Sequence, residues 1–247
     1  MKKIVCLCMA ALLVMAVLSG CGAASNESNQ DNTMTGSETT HDENSTVSDQ
    51  SNETGSSGTG SETGKSLVVY FSMPETTSPE NMSREEELST VVIDGEVLGN
   101  TQYVAMVIAE NTEADIFRIE PVTPYPLDHS ELEEIAQQEQ GEDARPEIAG
   151  EVENIDQYDT IFFGFPNWYY DMPMIMYSFL DQYDLSGKTI APFVTSGGSG
   201  FSDAISTITE MEPEANVVEN GLSISRNVVQ DAESDIIQWL ADNGFVQ

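Results

Sequence analysis

Apolar residues fall along this chain in short blocks parted by polar stretches, and the period of each block predicts an element. Leu67-Val68-Val69-Tyr70-Phe71-Ser72 is continuous, apolar and β-branched, which predicts a central strand buried on both faces. The stretch that follows shows no helical period and contains Glu85-Glu86-Glu87. Near its end Val91-Val92-Ile93 and Val97-Leu98 flank Asp94-Gly95, a dipeptide that favours a tight turn, so it reads as a surface insertion with a small hairpin. Gly99-Asn100-Thr101 then opens a helix on which Val104, Val107 and Ile108 recur at helical spacing beside Ala105 and Ala109. Asp115-Ile116-Phe117-Arg118-Ile119 alternates as an edge strand does. The turn Pro124-Tyr125-Pro126 leads into a polar helix over Ser130 to Gln140.

The second half repeats the rhythm. Thr160 to Phe165 is a second strand apolar on both faces, stopped by Pro166 and followed by Asn167-Trp168-Tyr169-Tyr170. Asp171 to Leu180 recurs at helical spacing. Thr189-Ile190-Ala191-Pro192-Phe193-Val194 makes a fourth strand, ending in Thr195-Ser196-Gly197-Gly198-Ser199-Gly200, with a helix from about Ser202 to Glu210. Val217-Val218 and Leu222-Ser223-Ile224 suggest a fifth strand, and Gln230 to Asn243 a closing amphipathic helix. Strands alternating with helices imply an α/β fold, a doubly wound five-stranded parallel sheet with helices on both faces and a hairpin inserted after strand one.

The ends of the chain change the domain picture. Lys2-Lys3, an apolar segment from Ile4 to Val17 and Leu18-Ser19-Gly20-Cys21 read as an export signal over 1–21, too short to span a membrane comfortably. Leu-Ser-Gly-Cys resembles the lipobox of bacterial lipoproteins, which implies cleavage before Cys21 and a lipid on that residue. Cys6 and Cys8 fall inside the signal, so Cys21 is the thiol left to the mature chain, and no disulfide, zinc cluster or catalytic cysteine is expected in the folded part. Residues 22–65 are Ser, Thr, Asn, Gly and acidic, with too little apolar surface to offset the entropy of ordering. They read as a disordered tether, with a reach on the order of 35–40 Å. One domain, 66–247, remains. The reading places the protein outside the cytoplasm, held to the bacterial cell membrane through the lipid alone.

Charge narrows the partners. Of 43 acidic residues 35 lie from Ser66 onward, against five basic ones. That field repels nucleic acid and anionic lipid, and steers a basic protein partner in; solubility in salty surroundings accounts for it equally. The Glu85-Glu86-Glu87 run lacks the ligand spacing of a calcium loop and reads as solvated.

Three loops at carboxyl ends of parallel strands, where such sheets place their ligands, carry the candidate chemistry. The first reaches Gly99-Asn100-Thr101 at a helix start, where free amides and the positive dipole end favour a phosphate. The second offers Trp168 and Tyr169, a ligand platform or else core packing. The third offers small residues whose backbone can approach a ligand closely. A phosphate at one side and a flat ring at the other describe a nucleotide-like cofactor. Competing chemistries fit poorly: Gly197-Gly198-Ser199-Gly200-Phe201 lacks the second glycine of a nucleophile elbow. The single histidine of the domain, His129, is distant in sequence on a polar helix, and His41 lies in the tether, so neither a serine hydrolase nor a histidine metal site is supported.

With these residues, the domain resembles the flavodoxin-like family over most of Ser66 to Gln247. Thr101-Gln102-Tyr103-Val104-Ala105 matches the Thr, three residues and Ala that close the family's phosphate loop, and Gly99 sits where the family has a small residue. The resemblance implies strand order 2-1-3-4-5 and FMN as cofactor, with no catalytic side chain assigned. It implies that Ser72, Asn100 and Thr101 hold the phosphate, and that Pro166, Asn167, Trp168 and Tyr169 with Thr195, Ser196, Gly197, Gly198 and Gly200 line the flavin. The chain departs from the family where the insertion between Ser72 and Gly99 splits the compact phosphate loop. Two functions follow. One is an extracytoplasmic FMN-dependent electron carrier or small reductase with an unidentified redox partner protein. The other is a tethered interaction module that kept the fold and lost FMN.

Overall fold

The computed structural model describes residues 64–73 and 79–247. The expected signal and lipobox with Cys21, and the tether but for its last two residues, lie outside them, as do residues 74–78 of the insertion. β1 (Ser66–Phe71), β6 (Thr160–Pro166), β7 (Thr189–Ser196) and β4 (Asp115–Pro121) form the body of a parallel sheet, with β1 between β4 and β6 and β7 beyond β6. In chain order the parallel strands stand 2-1-3-4-5, with β8 (Asn216–Val217) and β9 (Leu222–Ser225) sharing the fifth place against β7.

Period-two alternation divides the strands between two cores. Leu67, Val69 and Phe71 of β1 and Ile161, Phe163 and Phe165 of β6 face one side, where α3 (His129–Glu142), α4 (Met174–Gln182) and α5 (Ala204–Met211) bury Leu132, Ile175, Phe179 and Ile208. Val68, Tyr70 and Phe162 face the other side. There α2 (Asn100–Thr112) contributes Val104, Ala105 and Ile108, and α6 (Glu233–Asp242) contributes Ile236 and Leu240. Both faces of the central strands are covered, which explains their unbroken apolar runs.

Several sequence expectations are corrected. The fifth strand is broken: Ile190 pairs with Val217 and Phe193 with Leu222, leaving Ala191 and Pro192 without partners on that side. The carbonyl of Ile190 accepts from Val218. Pro192, two residues on, therefore turns its missing N–H toward the fifth strand, and the ladder parts where a donor is lacking. β4 is not a bare edge, because the two-residue β5 (Ile148–Ala149) pairs antiparallel with its end. Within the insertion the expected hairpin is present, β2 (Thr90–Ile93) against β3 (Glu96–Gly99), with Asp94 and Gly95 at φ 51° and 87°. Before it stands a helix that periodicity did not reveal, α1 (Arg84–Ser89). Ser83 caps it and its Glu86 bonds back to the Ser83 amide, so a capping box and not an apolar stripe nucleates it. The insertion is also tied to the domain at both ends: Met73 is buried in the first core and Val91 in the second.

A pocket at the carboxyl edge of the sheet

Four of the strands deliver loops to one cavity of about 510 Å³, within the usual range for small-molecule sites. Ser72, at the end of β1, and Asn100 and Thr101, at the start of α2, line it together. The insertion thus parts the first loop in sequence but not in space, since the chain leaves and rejoins the same rim. Arg118 holds the departing end by donating to the Met73 carbonyl at 3.3 Å.

The start of α2 is built differently from those of the neighbouring helices. Ser83 caps α1 and Asp128 caps α3 through their side chains, whereas α2 begins at Gly99, which has none to offer. Gln102 accepts from the Gly99 amide at 3.0 Å, and the amides of the first turn are left for another acceptor. Thr101 and the strand-end Thr195 share a buried hydroxyl–hydroxyl hydrogen bond of 2.8 Å, which fixes the floor between them. Asn100 is 4% exposed; its Nδ2 donates to the Leu88 carbonyl at 3.0 Å, while its Oδ1 has no hydrogen-bond partner among the described residues.

The opposite wall is aromatic. Pro166, Asn167, Trp168, Tyr169 and Tyr170 all line the cavity. The Trp168 ring stands edge-on to Phe71 (5.2 Å between centroids, 88°) and to Tyr125 (5.0 Å, 89°). Tyr125 is itself held by a 2.9 Å hydrogen bond to Glu139. The indole is therefore both core packing and pocket wall, the two alternatives that composition left open. Beyond it Trp168 and Asp171 exchange two backbone hydrogen bonds, of 2.8 and 3.0 Å, around Tyr169 and Tyr170, both in the left-handed region at φ 49° and 67°. This tight turn replaces the first turn of the helix expected from Asp171, and α4 starts at Met174.

Thr195, Ser196, Gly197 and Ser199 form the third side. Gly198 and Gly200, expected against a ligand, do not line the cavity. Their amides both bond the Ser196 hydroxyl, at 3.2 and 3.0 Å, so these glycines shape the loop instead of meeting its contents. Asn167 ties the second loop to the third, its amide donating to the Thr195 carbonyl at 2.9 Å and its Nδ2 to the Gly200 carbonyl at 3.0 Å.

Other lining residues were not anticipated. Met73, Leu88 and Ser89 come from the insertion, His129, Leu132, Glu133 and Ala136 from α3, and Arg226 from the residue after β9. His129 is thus brought to the site despite its distance in sequence. No hydrogen bond joins its ring to a hydroxyl or a carboxylate among the described residues. Arg226 presents a buried Nε with no hydrogen-bond partner among the described residues. The signal for both was positional: each follows the carboxyl end of a strand, where parallel sheets collect their ligand contacts.

The described residues contain no grouping of His, Cys, Asp and Glu fit to hold a metal ion, and no helix among them is long and apolar enough to cross a membrane. A family model described as Flavodoxin matches residues 90–243. A candidate flavoprotein from Bacteroides eggerthii is 27% identical with a TM-score of 0.55, over 72% of this chain and 96% of that one. Another from Bacteroides uniformis is 26% identical with a TM-score of 0.56, over 72% and 98%. A flavoprotein from Lactobacillus acidophilus in complex with FMN is 22% identical, with a TM-score of 0.48 over 69% and 99%. No curated protein matches the chain in sequence.

Proposed function

This chain belongs to the flavodoxin family, with FMN as its cofactor, and from that premise we propose that it is a redox protein working outside the cytoplasm on a lipid anchor. The observation that carries the binding half of this reading is a complementary pair of unsatisfied groups. Asn100 Oδ1 is a buried acceptor lacking a donor and Arg226 Nε a buried donor lacking an acceptor, and both residues line the same cavity. Unmet buried polar atoms of opposite type are costly, on the order of 1–3 kcal/mol each, unless something supplies both partners. A molecule with hydroxyls and an anionic phosphate does so.

The remaining walls fit the rest of such a molecule. The uncapped amides at Asn100 and Thr101 and the positive end of α2 suit the phosphate. The aromatic wall suits a planar ring, and the backbone at Thr195, Ser196 and Gly197 suits its polar edge. FMN bound there supplies the capacity to accept and pass on electrons. The chain's own part is to seat it: Asn167 locks two loops together, Trp168 is wedged by Phe71 and Tyr125, and the core behind excludes water. The open pocket and its unmet groups favour this reading over an interaction module without a cofactor.

The acidic surface supports a cationic redox partner. With 35 carboxylates from Ser66 onward and five cations, the domain attracts a positively charged donor or acceptor protein, and a lipidated Cys21 on a polar tether would hold it where that partner is met. The direct test is the visible spectrum of the purified protein. Flavin bands that leave the protein on denaturation are expected; a colourless protein that also fails to take up added FMN sinks the reading.

A further inference from the structure

We propose that Arg226 determines the choice of phosphorylated flavin over riboflavin, by supplying the cationic contact to the phosphate group. The assignment rests on the FMN reading above and concerns a residue that the flavodoxin resemblance did not place in the site.

Strand register locates the side chain. Leu222 and Ile224 of β9 are buried on the face covered by α2, so alternation directs Arg226, two residues further, to that same face. On β7, Phe193 faces that side too, and Thr195 reaches α2 through its bond to Thr101. Gly197 continues the same row. The Arg226 amide prolongs the ladder by donating to the Ser196 carbonyl at 2.9 Å. Its guanidinium then lies directly over Gly197: a Cβ there would stand 3.0 Å from Cζ and 3.2 Å from Nε and Nη2. The cation is therefore on the α2 side of the sheet edge, with the uncapped helix start, and not on the side of Trp168.

Charge makes this placement informative. Arg118 is near Glu120, and Arg145 contacts Asp143 and Asp181, whereas Arg84 forms no ion pair among the described residues and Lys188 donates to the Tyr158 carbonyl; neither of these two lines the cavity. Arg226 forms no ion pair among the described residues, although carboxylates outnumber cations so heavily, and it is the one guanidinium or ammonium lining the cavity there. A phosphate entering this acidic domain meets a repulsive field that amide dipoles offset only within one helical turn. A planar guanidinium beside those amides meets phosphate oxygens with charge-assisted hydrogen bonds, and its orphaned Nε gains its acceptor. Riboflavin, with a hydroxyl in place of the phosphate, gains little from it.

The test uses the full chain in detergent, stripped of flavin, titrated with FMN and with riboflavin while flavin fluorescence is followed. Wild type is expected to prefer FMN. Arg226→Gln should lose FMN affinity by about 10- to 100-fold, the worth of a charge-assisted hydrogen bond, with riboflavin affinity unchanged. Arg226→Lys should fall between, since it keeps the charge and loses the fork, and the preference should shrink with added salt in wild type but not in Arg226→Gln. An Arg226→Gln protein that loses both flavins equally, or keeps the wild-type preference, overturns the assignment while FMN binding itself stands. Wild type that binds neither flavin overturns the underlying reading instead.

Discussion

Glu212, just past α5, is 9% exposed, and burial, reinforced by the charge of Asp184, pushes its carboxyl up to about 7. Its ordinary value is 4.5, so between the two the unfolded chain has released a proton that the folded chain still holds. Stability is present below that window and falls as pH rises through it, by about 1–3 kcal/mol. Glu212→Gln has no charge to bury, so it should melt about 3–6 °C above wild type at pH 8 and together with it at pH 4.5. Equal shifts at both pH values would show that packing, not ionisation, governs the site. Glu212 does not line the pocket, which separates this stability effect from flavin binding. Of the residues read from sequence as the site, Ser72, Asn100, Thr101, Pro166 to Tyr169 and Thr195 to Gly197 line one cavity. Each belonged to a local pattern, a strand end or a helix start, that needs no knowledge of the rest of the chain. Arg226 follows a strand end and His129 starts a helix too, but what brings them to this cavity is strand order, a property of the whole sheet that no local pattern displays.

The same distinction governs the elements. Val68 and Val69, or Phe162 and Phe163, announce strands covered on both faces because neighbouring residues must be buried on opposite sides. The hairpin was legible through Asp94-Gly95, whose residues are those the turn demands. α1 was not, since no residue of it is buried and a capping box starts it. Nor was the split of the fifth strand, which depends on which side of β7 the N–H lacking in Pro192 would face. The turn at Tyr169-Tyr170 was also hidden, because such turns favour Asn and Gly, and two tyrosines there violate the local rule. Holding a bulky residue in the left-handed region costs about 1–2 kcal/mol. Tyr170 is 71% exposed and loses little packing on removal. Tyr170→Gly should therefore raise stability by about 1 kcal/mol, seen as a higher urea midpoint, while weakening flavin binding at the pocket mouth. A lower midpoint would show that the tyrosine stabilises the turn by contacts that outweigh its backbone strain.

For the whole molecule, one sheet edge serves two demands. It gathers loops from strands distant in sequence around a cavity, and it places there an arginine without an ion pair among the described residues, in a chain of formal net charge −35. The proposed placement outside the cytoplasm rests on Leu18-Ser19-Gly20-Cys21. Cys21→Ser should abolish acylation and release the protein from membranes; covalent acyl labelling that persists in the variant would contradict a lipid at that residue. Whether the domain binds FMN in this pocket is decided by titrating the flavin-free domain from Ser66 onward with FMN. Saturable quenching of flavin fluorescence by micromolar protein is expected, lost when Trp168 and Thr101 are replaced together. Fluorescence that neither quenches nor shifts at that concentration would contradict such binding.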